Sequence, residues 1–430
     1  MSREMKYSGI PWIGDIPKDW TIENIGSCLK EVYNLNSDCS EDNALQFKMG
    51  TIISKKYGDS KYNPETLEAY NKVQAGDIVI NGLNLSFDFI SMRVGQVKEN
   101  GVITSAYLTV RPLSHLDSSY MTYLFKGYDA CKALHGMGKG LRQTLSYKEF
   151  RKYLVLHPSL EEQQKIASFL DRKCSEVDEM IGLQEQIIEE LKAYKQSVIT
   201  EAVTKGLNPD APMRDSGIEW IGHIPEHWIY TKLKHLCSFH NGDRSKNYPC
   251  PDEFVDKGVP FYGADSLNDF IANVNYARFI TEEKYNLMGG LKIIGGDILY
   301  TLRGSTIGKN AIVQQPNGTT ASSLMGIRRK DALTNAMYLL YWLHSQNEYI
   351  QRDICINGAT APNLSAEDVK EFMLFLPPIS EQQVIANYLD EKCADIDSLI
   401  QTKQSKIDSL KEYKKSIIYE YVTGKREVNE

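Results

Sequence analysis

"EQQKIASFLDRKCSEVDEMI" (Glu162–Ile181) and "EQQVIANYLDEKCADIDSLI" (Glu381–Ile400) are the same passage written twice, 219 residues apart. The match resumes at "LKAYKQSVITEAVT" (Leu191–Thr204) and "LKEYKKSIIYEYVT" (Leu410–Thr423). Neither copy contains Pro, and both are rich in Glu, Lys, Gln, Leu and Ile. In the first, Leu170, Cys174, Val177, Ile181, Gln184, Ile188, Leu191, Lys195, Val198 and Ala202 follow alternating steps of four and three, the spacing of a heptad seam. The second repeats it as Leu389, Cys393, Ile396, Ile400, Lys403, Ile407, Leu410, Lys414, Ile417 and Tyr421. A polar residue interrupts both seams at the same two places, as expected where register or orientation is fixed at some cost in stability. Each copy is predicted to be a helix of about 43 residues, roughly 65 Å long. Such a helix needs a partner, and chain order makes the pair antiparallel. Equal seam lengths favour pairing within the chain over a coil between two chains. "LHPSLEEQQ" (Leu156–Gln164) and "LPPISEQQ" (Leu376–Gln383) read as helix starts, with Ser380 as N-cap and Gln383 at N3 of a capping box, and Ser159 and Glu162 as their counterparts.

A second repeat lies outward from the helices. "GIPWIGDIPKDW" (Gly9–Trp20) returns as "GIEWIGHIPEHW" (Gly217–Trp228), here 208 residues apart, so the second unit carries about eleven extra residues between its two fixed blocks. Between the blocks only punctuation survives: "AGDIVI" (Ala75–Ile80) against "GGDILY" (Gly295–Tyr300), and Leu145-Ser146 against Leu364-Ser365. The bodies, 21–157 and 229–377, hold short apolar runs broken by Gly, Asn and Pro, which read as strands with helices at "SYMTYLFKGYDACKAL" and "NAMYLLYWLHSQNEYIQ". The expected fold class is α+β with a pseudo-twofold internal repeat: two β-rich globular bodies separated by a pair of long antiparallel coiled-coil helices. The expected divisions are 1–157 with the opening motif at 7–20; helix 158–206; 207–377 with a linker at 207–214 and the motif at 215–228; helix 378–425; and a tail at 426–430.

Apolar content of 42% supports sizeable cores. No run of eighteen apolar residues exists, and "MSREMKYSG" has no apolar core, so neither a membrane span nor a signal peptide is expected. The eight cysteines form no CxxC pair, which predicts reduced, buried thiols in a cytoplasmic protein. Net charge is −7, but the two helical stretches carry −4 and −1 of it, so the bodies are near neutral and a local basic face is permitted.

There is no Walker loop, GxSxG or HExxH. Glu282 and Lys284 form a lone ExK with no upstream acid on a strand, which reads as a solvated charge pair. His223 and His227 in the second opening motif are Asp15 and Asp19 in the first, which excludes a duplicated metal site. The remaining candidates suit binding. "GMGKGLRQTLS" (Gly136–Ser146) and "INGATAPNLS" (Ile356–Ser365) are matching loops, offering Lys139, Arg142, Gln143 and Thr144 in one and Thr360 and Asn363 in the other. "TLRGSTIGKNA" (Thr301–Ala311) offers Arg303, Ser305, Thr306 and Lys309, and Arg244 and Lys246 lie in a further loop. The first body adds Asn81, Asn84 and Arg93, with Lys55, Lys56 and Lys61 upstream. Arg pairs bidentately with guanine and Asn or Gln with adenine, while Lys and hydroxyls mostly hold phosphate. Trp12, Trp20, Trp220 and Trp228 of the opening motifs are expected to be buried latches where a body meets the coil or a partner subunit.

An opening motif, a variable body ending in "LPPISEQQ" and a long helix, all done twice, resemble the specificity subunit of Type I restriction–modification enzymes. The resemblance covers essentially the whole chain, and its most specific part is the EQQ-x-IA-x-x-LD run. "PSLEEQQ" in the first copy lacks the usual second proline. The resemblance implies two target-recognition domains, each reading one half of an asymmetric bipartite site in double-stranded DNA, with the coiled coil as spacer. It also implies two methyltransferase partner subunits that hold S-adenosylmethionine, with restriction subunits using ATP and Mg2+ where these join. The chain itself would bind no cofactor or metal and no membrane, and no NPPY-like methylase run is present. The alternatives from the residues are a two-lobed nuclease or methylase with unrecognised motifs, or a coiled-coil scaffold that does not bind DNA.

Overall fold

Two long helices, Leu160–Lys205 and Ile379–Val422, organise the computed structural model, which describes residues 3–55, 64–89, 92–140, 143–268, 270–356 and 363–428. The chain divides into two compact units: Met1–Glu185 with Gln404–Glu430, and Gln186–Lys403. Each unit therefore owns one body, the start of one long helix and the end of the other.

The heptad seam is what buries the helices. Leu170, Val177, Ile188, Leu389, Ile396, Ile407 and Leu410 are buried, and Ile181, Leu191 and Ile400 are half-buried; the positions between them along the middle of each helix are mostly exposed. The pairing is antiparallel in each unit. In the first, Phe169 packs at a tilt against Tyr421 and Lys414 Nζ meets Asp178 at 2.6 Å. In the second, Lys195 Nζ meets Asp397 at 2.7 Å. These are repeat equivalents, so one of the two polar seam positions is an interhelical ion pair that sets register. Both pairs have an exposed carboxylate, which limits their contribution to stability to about 1 kcal/mol or less.

Each unit repeats one topology. In the first, a four-stranded antiparallel sheet has the order Leu29–Glu31, Leu108–Pro112, Ile78–Ile80, Val94–Gln96. In the second it is Cys237–Asn241, Leu324–Arg329, Ile298–Thr301, Asn310–Ile312. The shared "GD" before the third strand now has a cause. Asp77 is buried, caps the turn through the Gln74 N–H and takes Arg111 from the neighbouring strand at 2.6 Å; Asp297 does the same with Ile294 and Arg328. Leu154–His157 pairs with Thr21–Asn24, and Met373–Leu376 with Ile229–Lys232, which returns each body's last strand to its first before the helix begins.

The opening motifs lock body to coil. In the first unit the hairpin Met5–Tyr7/Asp15–Pro17 presents Trp20, whose indole N–H donates to Glu162 at 2.9 Å in the first turn of a long helix. The same ring packs on Gly424, just past the end of the other long helix, where a Cβ would lie 3.1 Å from the indole and 2.4 Å from Pro17. In the second unit, Trp228 donates to Glu381 at 3.1 Å and packs on Gly206. Gly206 and Gly424 take φ +73° and +69°, the left-handed turn that ends a helix and favours glycine. The glutamine after each Glu is fully buried. Gln163 accepts the Asp117 N–H and donates to Pro158 O; Gln382 accepts the Asn335 N–H and donates to Leu333 and Pro377 carbonyls. Each thereby ties a long helix to the N-cap of its body's helix, Ser118–Ala130 or Ala336–Leu343.

Several expectations change. Trp12 is half-buried against Tyr128, but Trp220 is 39% exposed and is not a latch within the chain. It lacks the helix-start carboxylate that fixes Trp228. Ser380 is not an N-cap, because the second long helix begins at Ile379; Ser159 does cap the first, accepting the Glu162 N–H at 3.3 Å. Glu162 points to Trp20 and Arg3 and so does not close the capping box. Cys28, Cys174, Cys237 and Cys393 are buried free thiols, whereas Cys39, Cys131 and Cys250 are exposed. Lys284 of the ExK pairs with Glu253 at 2.7 Å. "NAMYLLYWLHSQNEYIQ" breaks at His344 into helices Ala336–Leu343 and Gln346–Cys355. Among the described residues no helix is long and apolar enough to cross a membrane.

Trp20→Ala and Trp228→Ala should each lower unfolding stability by about 3–5 kcal/mol in urea titrations, since each opens a cavity and removes one donor from a partly buried carboxylate. Trp220→Ala should cost less than about 0.5 kcal/mol; equal losses at all three positions would contradict the joint.

Candidate nucleic-acid interface

In both units the strand after "GD" runs straight into a polar loop, and the Leu-Ser loop crosses it. In the first unit, Gly82 lies so close to Leu145 that a Cβ would sit 2.9 Å from its backbone oxygen, and the Leu145 N–H donates to Gly82 O at 2.9 Å. Lys139 and Thr144 pair as the stem of the crossing loop. In the second unit Leu364 donates to Leu302 O at 3.0 Å, and Arg303 pairs with Asn363 across a β-bridge. The Leu-Ser ends of the loops matched by sequence thus occupy matching places in the fold.

The second unit gathers most of its candidates. Arg303, Ser305, Asn363, Arg244 and Lys246 are exposed. Leu302 donates to Ser323 O, and Arg244 reaches Ser322 O at 3.3 Å, so the segment at 322–323 joins the Arg244 loop to the Arg303 loop. Thr306 is half-buried, and Lys309 is exposed with Nζ on Asn268 Oδ1 at 2.9 Å. These groups offer a fork, an amide, hydroxyls and ammonium charges, the chemistry that grips base edges and phosphates.

The first unit is more mixed. Asn84 is exposed at φ +53°, and Lys139 is exposed with Nζ 2.9 Å from Glu149. Thr144 is exposed, and Gln143 is half-buried at φ +44°. Asn81 turns its side chain onto the Leu83 N–H. Arg93 is not a surface reader. It is 1% exposed and donates to the carbonyls of Asn81, Leu83 and Asp88, because the curled loop aims these oxygens at one point. Lys55 follows the hairpin Leu45–Lys48/Thr51–Ser54, a two-stranded sheet of its own, with its N–H on Ala44 O. Lys56, Lys61, Arg142 and Thr360 lie outside the described residues.

Residue types alone passed over two features. Phe87 and Phe89 are 75% and 54% exposed on the first unit's loop, with Phe89 stacked on His135 at 4.7 Å; the alternation in "SFDF" was the available signal. Beneath the second unit's loop lies a polar network of Tyr300, Glu348 and Arg352. Tyr300 OH donates to Glu348, which also accepts Arg352 Nε at 3.0 Å. Burial pushes the Glu348 carboxyl up to about 6.

The profile of the Type I restriction modification DNA specificity domain matches residues 28–193 and again 225–412. The chain is 23% identical over 420 residues to the Type I restriction enzyme MjaVIII specificity subunit of Methanocaldococcus jannaschii, covering 95% of this chain and 93% of that one. It is 29% identical over 265 residues to the EcoBI specificity subunit of Escherichia coli, 59% of this chain and 54% of that one. Among solved structures, a chain from work on complex assembly and conformational transition of the type I R-M system superposes with a TM-score of 0.70 at 16% identity, covering 96% of this chain and 99% of that one. The HsdS subunit from Thermoanaerobacter tengcongensis gives 0.50 at 16% identity, covering 96% and 98%. At these identities the structural likeness shows a shared fold.

Glu348 binds its proton more tightly in the folded chain than in the unfolded one. Its contribution to stability is therefore greatest at low pH and is lost as pH rises from the unfolded value of 4.5 through about 6. Glu348→Gln keeps an acceptor for Tyr300 and removes that titration. The stability of the wild type relative to the variant should fall by roughly 2 kcal/mol between about pH 4 and pH 7 in urea unfolding. A constant difference would refute the raised carboxyl.

Proposed function

This chain belongs to the Type I restriction–modification DNA specificity family, and from that premise we propose that it reads an asymmetric bipartite duplex, one half-site per body. The observation that carries this is the same loop crossing in both units with unlike side chains: Arg303 and Asn363 in one, Asn84, Lys139 and Phe87 in the other. Equivalent places with different chemistry suit two half-sites of different sequence. Bodies 1–157 and 207–377 are the recognition domains in this reading, and the helices, 46 and 44 residues long, are the spacer between half-sites.

Methyl transfer to adenine belongs in this proposal to two partner methyltransferase subunits holding S-adenosylmethionine, with restriction subunits supplying ATP- and Mg2+-dependent cleavage where they join. The chain is then a non-catalytic reader acting in the cytoplasm, where the DNA is. The segregated charge supports it: acidic excess on the helices leaves the bodies free to carry Arg244, Lys246, Arg303 and Lys139 toward DNA.

The chain with its methyltransferase should bind one bipartite duplex, with affinity falling steeply as salt rises; methylation by the isolated chain would defeat the non-catalytic reading. Arg303→Ala should weaken binding and relax one half-site by about 1–3 kcal/mol in competition assays, leaving the other unchanged. Ile188→Pro or Ile407→Pro should break the spacer helix. Methylation retained at the normal spacing would rule the helices out as a ruler.

A further inference from the structure

A loop that reads bases must be held in shape before DNA arrives, since ordering it on binding costs affinity and lets a misfit relax. In the first unit the loop after the strand Ile78–Ile80 is curled around the buried Arg93 guanidinium. Its donors reach Asn81 O at 3.0 Å, Leu83 O at 2.9 Å and Asp88 O at 2.6 Å, while its backbone N–H is held by Asp129 at 2.8 Å. In the second unit the equivalent loop follows Ile298–Thr301 and ends at Gly308, φ +85°, which lies directly on Arg352: a Cβ there would sit 2.3 Å from Nε. Arg352 is fixed by Glu348, and Glu348 by Tyr300 at the root of the loop.

These arginines are not repeat equivalents. Arg93 immediately precedes the strand Val94–Gln96; the residue at that place in the second unit is Lys309, before Asn310–Ile312, and it turns to Asn268. Arg352 comes from the helix Gln346–Cys355. A shared contact could be inherited with the duplication. Two guanidinium supports from unrelated elements, under the same loop, point to a requirement on the loop itself.

We propose that Arg93 and Arg352 are positioning residues for base reading, each setting the specificity of its own half-site without touching DNA; this rests on the reading of these loops as the base-contacting surface. At Arg93 arginine suits the task because its rigid planar fork holds donors on three carbonyls in a fixed geometry, where lysine offers a flexible point charge. A guanidinium occupied within the protein displaces no counterions from DNA.

The test uses the full chain with its methyltransferase, carrying Arg93→Lys or Arg352→Lys. Methylation and binding are measured on duplexes altered one base at a time in each half-site, at several salt concentrations. Each variant should lose about tenfold discrimination, the weight of one base contact, at one half-site only, and not the same half-site for both. The salt dependence should stay that of the wild type. Undiminished discrimination, equal loss at both half-sites, or a salt slope lower by about one would each overturn the proposal, the last because it marks a direct phosphate contact. Thermal unfolding identifies a variant that fails to fold. In that case Gly308→Ala, which pushes the loop off Arg352, carries the test for the second unit, and Asp129→Asn, which weakens the hold on the Arg93 backbone, for the first. A wild type that discriminates at neither half-site would instead defeat the base-reading interpretation.

Discussion

Everything in this molecule hangs on an indole N–H pointed at a carboxylate in the first turn of a helix. Trp20 on Glu162 and Trp228 on Glu381 each bring three distant stretches to one point: an opening hairpin, the start of one long helix and the glycine that ends the other. The carboxylate is well placed there, because free N–H groups and the helix dipole favour negative charge at that end. The glycine is favoured because the chain there takes a left-handed turn, and at Gly424 a Cβ would also run into Pro17. With the coil so fixed at its end in each unit, an ion pair marks its register there, Lys414–Asp178 in the first and Lys195–Asp397 in the second.

Much of this was legible in the sequence because it depends on local periodicity. The heptad positions are those the fold buries, and strands such as Ile78–Ile80 and Leu324–Arg329 fall within the apolar runs that predict them. What remained hidden depends on where a group ends up in three dimensions. The EQQ run marks a helix start, yet nothing in it says that its first glutamine will be sealed against another helix's N-cap. Arg93 reads as a surface arginine until a loop supplies three carbonyls around it. Trp220 reads as a twin of Trp12, but only Trp12 meets an aromatic partner inside a core. The hairpin Leu45–Lys48/Thr51–Ser54 also escaped, since its strands are too short and too exposed to alternate cleanly.

The candidate interface shows the same division between scaffold and content. Backbone contacts at Gly82–Leu145 and Leu302–Leu364 recur in both units, while the side chains they present differ. Framework and message are thereby separable: a body can change what it displays without disturbing the crossing that displays it. The exposed Phe87 and Phe89 in one unit, against Arg303 and Ser305 in the other, show how far that content has diverged.

The two units also differ in how the polypeptide supplies them. The second is one uninterrupted stretch, Gln186–Lys403, whereas the first is assembled from Met1–Glu185 and Gln404–Glu430. As the chain leaves the ribosome, the second unit has all its parts in hand before the first does. The earliest-made body must wait, with Ile10, Ile13 and Trp20 uncovered, until Ile417, Ile418 and Val422 emerge to close its core. Until those residues emerge, the nascent first body keeps apolar core surface uncovered, the kind of surface that chaperones and proteases meet.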